Sequence, residues 1–256
     1  VFGWAARDIL FSRCGFGLND GDSPETGAMR DRQEAIDRHL SLAEALHRRG
    51  SYRDAYDQAK LAADLCEDAS VPADSRGRAI VALARSAYCT GAFEESLARL
   101  GAAARVLESL APELRDALLG EAAVVRANVL RRQGRFTEAL ETLAASPEGG
   151  ADPSVLVERL LIEGACRFYL NELPLAEDRL EAALGLSIHH NDPRMKSRVL
   201  AMLGLIAQTK GFHEAALGYF ERAGEICRAR EDYYGEAAAA LNASIALYRQ
   251  GHLTRA

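Results

Sequence analysis

The sequence predicts an all-α fold, a solenoid of stacked helix–turn–helix units. Three observations carry that prediction. A glycine or asparagine recurs at intervals near forty residues, and small residues stand at constant offsets on either side of it. No run of alternating polar and apolar residues bounded by turn signals occurs anywhere in the 256 residues. The recurring residue is Gly50, Gly91, Gly134, Asn171, Gly211 and Gly251, separated by 41, 43, 37, 40 and 40 residues.

Each offset has a physical meaning. Glycine and asparagine are the two residues that reach the left-handed backbone region cheaply, so the anchor is the turn that ends a helix. Seven residues before it stand Ala43, Ala84, Ala127, Gly164, Gly204 and Ser244. Five after it come Ala55, Ser96, Ala139, Ala176, Ala216 and Ala256, and twelve after it Ala62, Ala103, Ser146, Ala183 and Ala223. Small residues at these places let two antiparallel helices, and the helix of the next unit, approach closely. A filler nine after the anchor (Ala59, Leu100, Leu143, Leu180, Phe220) lies at helical spacing from both alanines.

Taken in order, residues 1–29 stand outside the repeat. "VFGWAARDILFSRCGFG" reads as a short amphipathic helix and "LNDGDSPETG" as a loop, together a cap or the tail of an upstream domain. Residues 30–256 are the array, about five and a half units with the last one truncated. The third unit carries Arg126 where Leu42, Leu83 and Leu203 stand in others. The fourth has Asn171 as anchor and Arg167 in an apolar slot, which a shift of one residue, turning Ala165 and Phe168 inward, would repair. In the fifth, His213 takes the slot of Tyr52, Phe93 and Phe136, with Phe212 expected to compensate. The sixth leaves Ile245, Leu247 and Leu253 uncovered. Since each repeat offers an apolar face to its neighbour, the expectation is a longer protein that continues the array, or pairing of this end with a second copy.

The small–glycine–aromatic–"EA"–bulky–alanine pattern, as in "QTKGFHEAALGYFERA", resembles the tetratricopeptide repeat. The period exceeds the usual thirty-four residues, and "REDYYGEAAAALNASIALYRQG" is similar to the connector of a long-period variety found in bacterial regulators and in NB-ARC-linked or LGN-like proteins. The resemblance covers residues 30–256. It implies a right-handed solenoid that binds a protein or extended peptide in a larger, cytoplasmic signalling or transcription-regulatory protein.

Composition narrows the alternatives. A net charge of −6 argues against a dedicated nucleic-acid binder, and lysine is confined to Lys60, Lys196 and Lys210. No apolar run approaches the length of a membrane span. Five scattered cysteines, Cys14, Cys66, Cys89, Cys166 and Cys227, form no CxxC and read as reduced, mostly buried thiols. His189 and His190 have no third ligand at metal spacing and fit a helix C-terminus. "CGFGLNDG" is not a GxGxxG, and neither a phosphate-binding loop nor a GxSxG occurs. Carboxylates are spaced four residues from arginines, as on solvated faces. The expectation is therefore no enzyme, no metal and no cofactor.

What is left is the surface that stacked helices create. Family geometry implies that groove positions lie six, three and two residues before each anchor. The partner-binding set it selects is Arg48, Arg85, Tyr88, Asn128, Arg131, Arg132, Phe168, Tyr169, Gln208, Tyr248 and Arg249. Arginines interleaved with aromatics and amides fit an extended, acidic peptide. The rival reading is that these aromatics pack between helices while Asp37, Glu121 and Glu158 neutralise the arginines. A receptor for a signalling peptide or small ligand would instead need an aromatic pocket around Tyr88, Phe168 and Tyr169. A self-associating structural module is the third reading.

Overall fold

In a computed structural model, residues 24–68, 70–147 and 152–251 are described. The amphipathic stretch of residues 1–17, Cys14, Leu253 and Ala256 lie outside them. The described residues form eleven α-helices and no strand: α1 (Pro24–Arg49), α2 (Tyr52–Leu65), α3 (Ala73–Cys89), α4 (Phe93–Glu108), α5 (Pro112–Arg132), α6 (Phe136–Ala144), α7 (Pro153–Tyr169), α8 (Leu173–His189), α9 (Pro193–Thr209), α10 (His213–Ala229) and α11 (Tyr233–Arg249). Each odd-numbered helix packs antiparallel to the even one that follows it and side by side with the odd helix of the next unit. The result is a right-handed α-solenoid. The first helix begins at Pro24, inside the segment expected as loop, because proline is well tolerated in the first turn of a helix.

The anchors do what their chemistry predicts. Gly50, Gly91, Gly134, Asn171, Gly211 and Gly251 all have positive φ, from 62° at Asn171 to 86° at Gly91. At the first, Gly50 N–H donates to His47 O at 3.1 Å and Ser51 N–H to Leu46 O at 3.0 Å, which satisfies the last carbonyls of α1. The same pair of bonds recurs at Gly91, Gly134, Asn171 and Gly211.

Five residues on, Ala55, Ser96, Ala139, Ala176 and Ala216 are wholly buried at 0% exposure. Here the paired helices touch, and the filler decides how small the facing residue must be. Ala84 faces Leu100 and Ala127 faces Leu143. In the fourth and fifth units the filler leaves no room for a methyl. A Cβ at Gly164 would lie 2.6 Å from Leu180 Cγ, and one at Gly204 would lie 2.6 Å from Phe220 Cε1.

Four expectations need correction. Unit four keeps the common register: Gly164 faces Leu180, and Arg167 stays at the rim, paired with Glu172 at 2.7 Å, so no shift is needed. Phe212 does not compensate for His213, being 63% exposed, whereas Tyr219, further along α10, packs against three neighbouring clusters. Arg126 is an exposed residue of α5, and Leu42 in the equivalent slot is exposed too, so the slot is not a core position in every unit. Of the uncovered trio, Leu247 is buried, whereas Ile245 is exposed.

The connectors vary more than the turns. Asn191 and Glu231 adopt φ of 50° and 57°, and each precedes an aspartate cap: Asp192 accepts from Met195 N–H and Asp232 from Gly235 N–H, both at 2.9 Å. The third unit has a second helix of only nine residues, α6. Arg159, buried on α7, reaches back to Leu143 O and to Ser146 Oγ at 2.9 Å, and so closes the end of that short helix.

Candidate functional site: a charged concave cavity

The inner helices α1, α3, α5, α7 and α9 enclose a cavity of roughly 820 Å³. Its wall mixes apolar side chains with charged ones of both signs. Arg48, Arg78, Arg85, Arg194 and Arg230 line it together with Asp37, Glu44, Glu121, Asp152, Glu158 and Asp192. Most of the arginines are already matched. Arg48 meets Glu44 at 3.7 Å, Arg78 meets Asp74 at 2.9 Å and Asp37 at 3.9 Å, and Arg85 pairs with Glu121.

Glu158 is the hub of the interior. Its Oε1 accepts from Asn128 Nδ2 at 3.1 Å and from Arg198 Nη1 at 3.4 Å, tying α7 to α5 and α9. Arg131 in turn donates to Asn128 Oδ1 at 3.3 Å. Burial alone would push the Glu158 carboxyl up. The guanidiniums of Arg198, Arg194 and Arg85 outweigh it and hold the group down at about 2. The carboxylate is therefore ionised at every ordinary pH.

His47, on α1, faces the same cluster. Burial, with Arg85 and Arg194 beside it, lowers its pKa to about 3, so the ring is neutral. Its Nε2 lies 3.5 Å from Cys89 Sγ, and burial pushes that thiol up to about 11. A nucleophilic cysteine requires the reverse, a thiolate beside an imidazolium. This contact is a buried polar pair, and its electrostatics disfavour nucleophilic chemistry. Cys66, Cys166 and Cys227 are free and buried, as expected of reduced thiols. No cluster of three or more metal-ligating side chains occurs among the described residues. His189 and His190 stand edge-to-face at 4.8 Å where α8 ends, the helix-terminal position that the sequence suggested.

Of the eleven residues selected from the sequence, the structure puts Arg48 and Arg85 on the cavity wall. The other nine do not join them. Tyr88 packs against Ala84, Leu100 and Val125 and lies 5.9 Å from the Phe93 ring. Asn128 and Gln208 are buried, at 2% and 7% exposure, and Arg131 is held by Asn128. Phe168 packs on the Val157–Leu180–Ile206 core. Tyr169 stacks on Phe136 at 4.8 Å, so the aromatics expected around a receptor pocket cover helices instead. Arg132, Tyr248 and Arg249 are exposed away from the cavity wall.

A fixed offset fails for a geometric reason. On α1 and α3 the wall is made by Glu44 and Arg85, each six residues before its anchor. On α5 it is Glu121 and on α7 Glu158, thirteen before, and on α9 Arg194, seventeen before. Eleven residues of drift is about 16 Å along a helix. The cavity axis runs obliquely across the inner helices because successive units rotate against one another. Arg78, His190, Arg194 and Arg230 were missed for this reason, and the only signal that could have found them was the superhelical twist.

No protein-family model matches this sequence, and no curated protein is detectably similar to it. Solved structures are. BtubC from P. vanneervenii aligns with a TM-score of 0.55 at 15% identity, over 86% of this chain and 86% of that one. PilF of Pseudomonas aeruginosa aligns with a TM-score of 0.52 at 16% identity, over 86% of this chain and 93% of its own. At such identities the likeness is one of fold: a tetratricopeptide-like, all-helical repeat array.

Proposed function

We propose that the chain is a non-catalytic scaffold that takes an extended segment of a partner protein into the concave cavity. The observation that supports this most directly is the cavity itself, walled by five inner helices that belong to five successive units. Such a wall offers side chains of both signs at helical spacing, which suits a peptide better than a compact metabolite. The neutral His47 and protonated Cys89 leave the deepest polar pair without acid–base activity near neutral pH. No described helix is long and apolar enough to cross a membrane. On the strength of the long-period resemblance, we read the array as the cytoplasmic sensing or partner-binding segment of a larger bacterial signalling or transcription-regulatory protein.

The test is capture from host lysate with the chain and with a variant whose cavity is obstructed, Ser41→Trp. Ser41 is exposed on the cavity wall, so tryptophan there fills space without entering the core. A protein retained by the parent and lost by the variant, with unchanged melting, supports the reading. Equal retention by both places the working surface elsewhere.

A further inference from the structure

We propose that α11 is a dimerisation helix, whose exposed apolar stripe packs antiparallel against the same stripe of a second copy of this chain. The stripe is Tyr234, Ala238, Leu241, Ile245 and Tyr248, spaced four, three, four and three residues, so it runs as one seam along the helix. All five are exposed, Leu241 and Tyr248 at 64% each. The other face of α11, through Ala239 and Ala246, is buried on α9 and α10.

The composition is that of a covered helix. From Ala237 to Tyr248 no residue is charged. The comparable run of α9, residues 199–209, is uncharged too, and there Val199, Leu200, Leu203 and Ile206 are buried. Position agrees with composition. Ten residues before their anchors, Val81, Val124 and Leu161 are buried in clusters that include Leu118, Ile162 and Leu203 of the next inner helix. Leu241 stands at the same offset and faces water. The stripe thus continues the contact between successive units, and a contiguous apolar patch gains from removal out of water.

Two features select a second copy and an antiparallel arrangement. The seam is self-complementary. Turned end for end and centred between Leu241 and Ile245, it sets each Leu241 against Ile245 of the second copy and each Tyr248 over the small Ala238. Bulk then meets space twice, as a closed two-fold contact requires. The helix is also acidic where it starts, at Glu231 and Asp232, and basic where it ends, at Arg249. Antiparallel pairing brings unlike ends together, whereas a parallel pair sets like charges side by side. None of the stripe residues lines the cavity, so the pairing is independent of what the cavity holds.

The experiment is sedimentation equilibrium of the whole chain, from low micromolar to submillimolar concentration. The parent is compared with Leu241→Glu, Tyr248→Lys and Leu175→Glu, the last altering an exposed leucine of α8. The expected result is a monomer–dimer equilibrium that the first two variants weaken at least tenfold and Leu175→Glu leaves unchanged. All should melt alike at low concentration, because the altered side chains are exposed. Orientation is read by cross-linking with copper–phenanthroline. Ala238→Cys/Tyr248→Cys should trap a covalent dimer that the parent does not form. Neither single substitution should, because like positions of the antiparallel copies stand about 15 Å apart along the axis. A chain that stays monomeric throughout overturns the pairing and assigns the stripe to a helix of another protein or to a further unit. A mass that grows beyond two copies overturns it as well, as does association that Leu241→Glu leaves intact or Leu175→Glu weakens equally. Cross-linking of either single variant to itself overturns the antiparallel arrangement.

Discussion

Gly204 and Gly218 are both helical glycines of the fifth unit, and the structure requires them to respond to alanine with opposite signs. Alanine is ordinarily the better helix residue, by about 0.5–1 kcal/mol, because glycine loses more backbone freedom on folding. At Gly218 a Cβ would meet nothing within 4 Å, so Gly218→Ala should stabilise by about that amount. At Gly204 the new carbon would stand 2.6 Å from Phe220 Cε1 and 2.9 Å from Cδ1 and Cζ. Comfortable carbon contacts lie near 3.5–4.0 Å, so about 1 Å has to be found. The ring cannot swing away, since Phe220 is at 0% exposure between Ala207, Ala216 and Ala246. The helices must therefore separate, at the ~1–3 kcal/mol typical of overpacking, less the fraction gained from propensity. Urea unfolding followed by circular dichroism reads both variants. Gly204→Ala/Phe220→Leu should recover part of the loss, giving a coupling between neighbours in contact. If Gly204→Ala is as stable as Gly218→Ala, α9 and α10 are not as close as described, and the size-matching argument for the array fails.

Other outcomes follow from the same structure. Ala139→Arg puts a long cation at a fully buried contact of α6, and should cost at least ~1–3 kcal/mol and uncouple the third unit in a melting curve. Glu231→Gly removes the strain of a positive φ on a side-chain-bearing residue, and should stabilise by about 1 kcal/mol, whereas the already permissive Asn171→Gly should change stability by tenths. Acidification should destabilise the fold in two stages. His47 takes its proton near 6.5 when unfolded but only near 3 when folded, so between these values the unfolded chain binds more protons and stability falls as pH drops, by up to ~1.4 kcal/mol per unit. Glu158, held at about 2, adds a second loss of the same sign once the pH passes below its unfolded value. In pH-resolved urea titrations, His47→Gln should remove the upper stage and leave the lower one.

The repeat was legible because its determinants are local and recur. A left-handed turn admits few residue types, and a close helix contact admits only small ones, so both leave marks at constant spacing. Gly50, Ala55 and Ala62 needed no tertiary information to be placed. The failures were of another kind. Phe212 and Tyr219 are both aromatic, and only packing left the first exposed and set the second against the core. Tyr88 and Phe168 had the composition of binding residues, but their rings cover helix contacts within the array.

The sequence by itself determined an all-α array, its period, its turns and the size rule between its paired helices, since each depends on residues within one unit. Only the tertiary structure decided which side chains meet across the cavity. That depends on the rotation between units, a small angle summed over four steps, which carries the wall from Glu44 on α1 to Arg194 on α9. It also decided which carboxylate each arginine meets, because Arg85 finds Glu121 and Arg198 finds Glu158, each on another helix. Charge pairing across helices is set by distance in space, and no spacing in the chain records it.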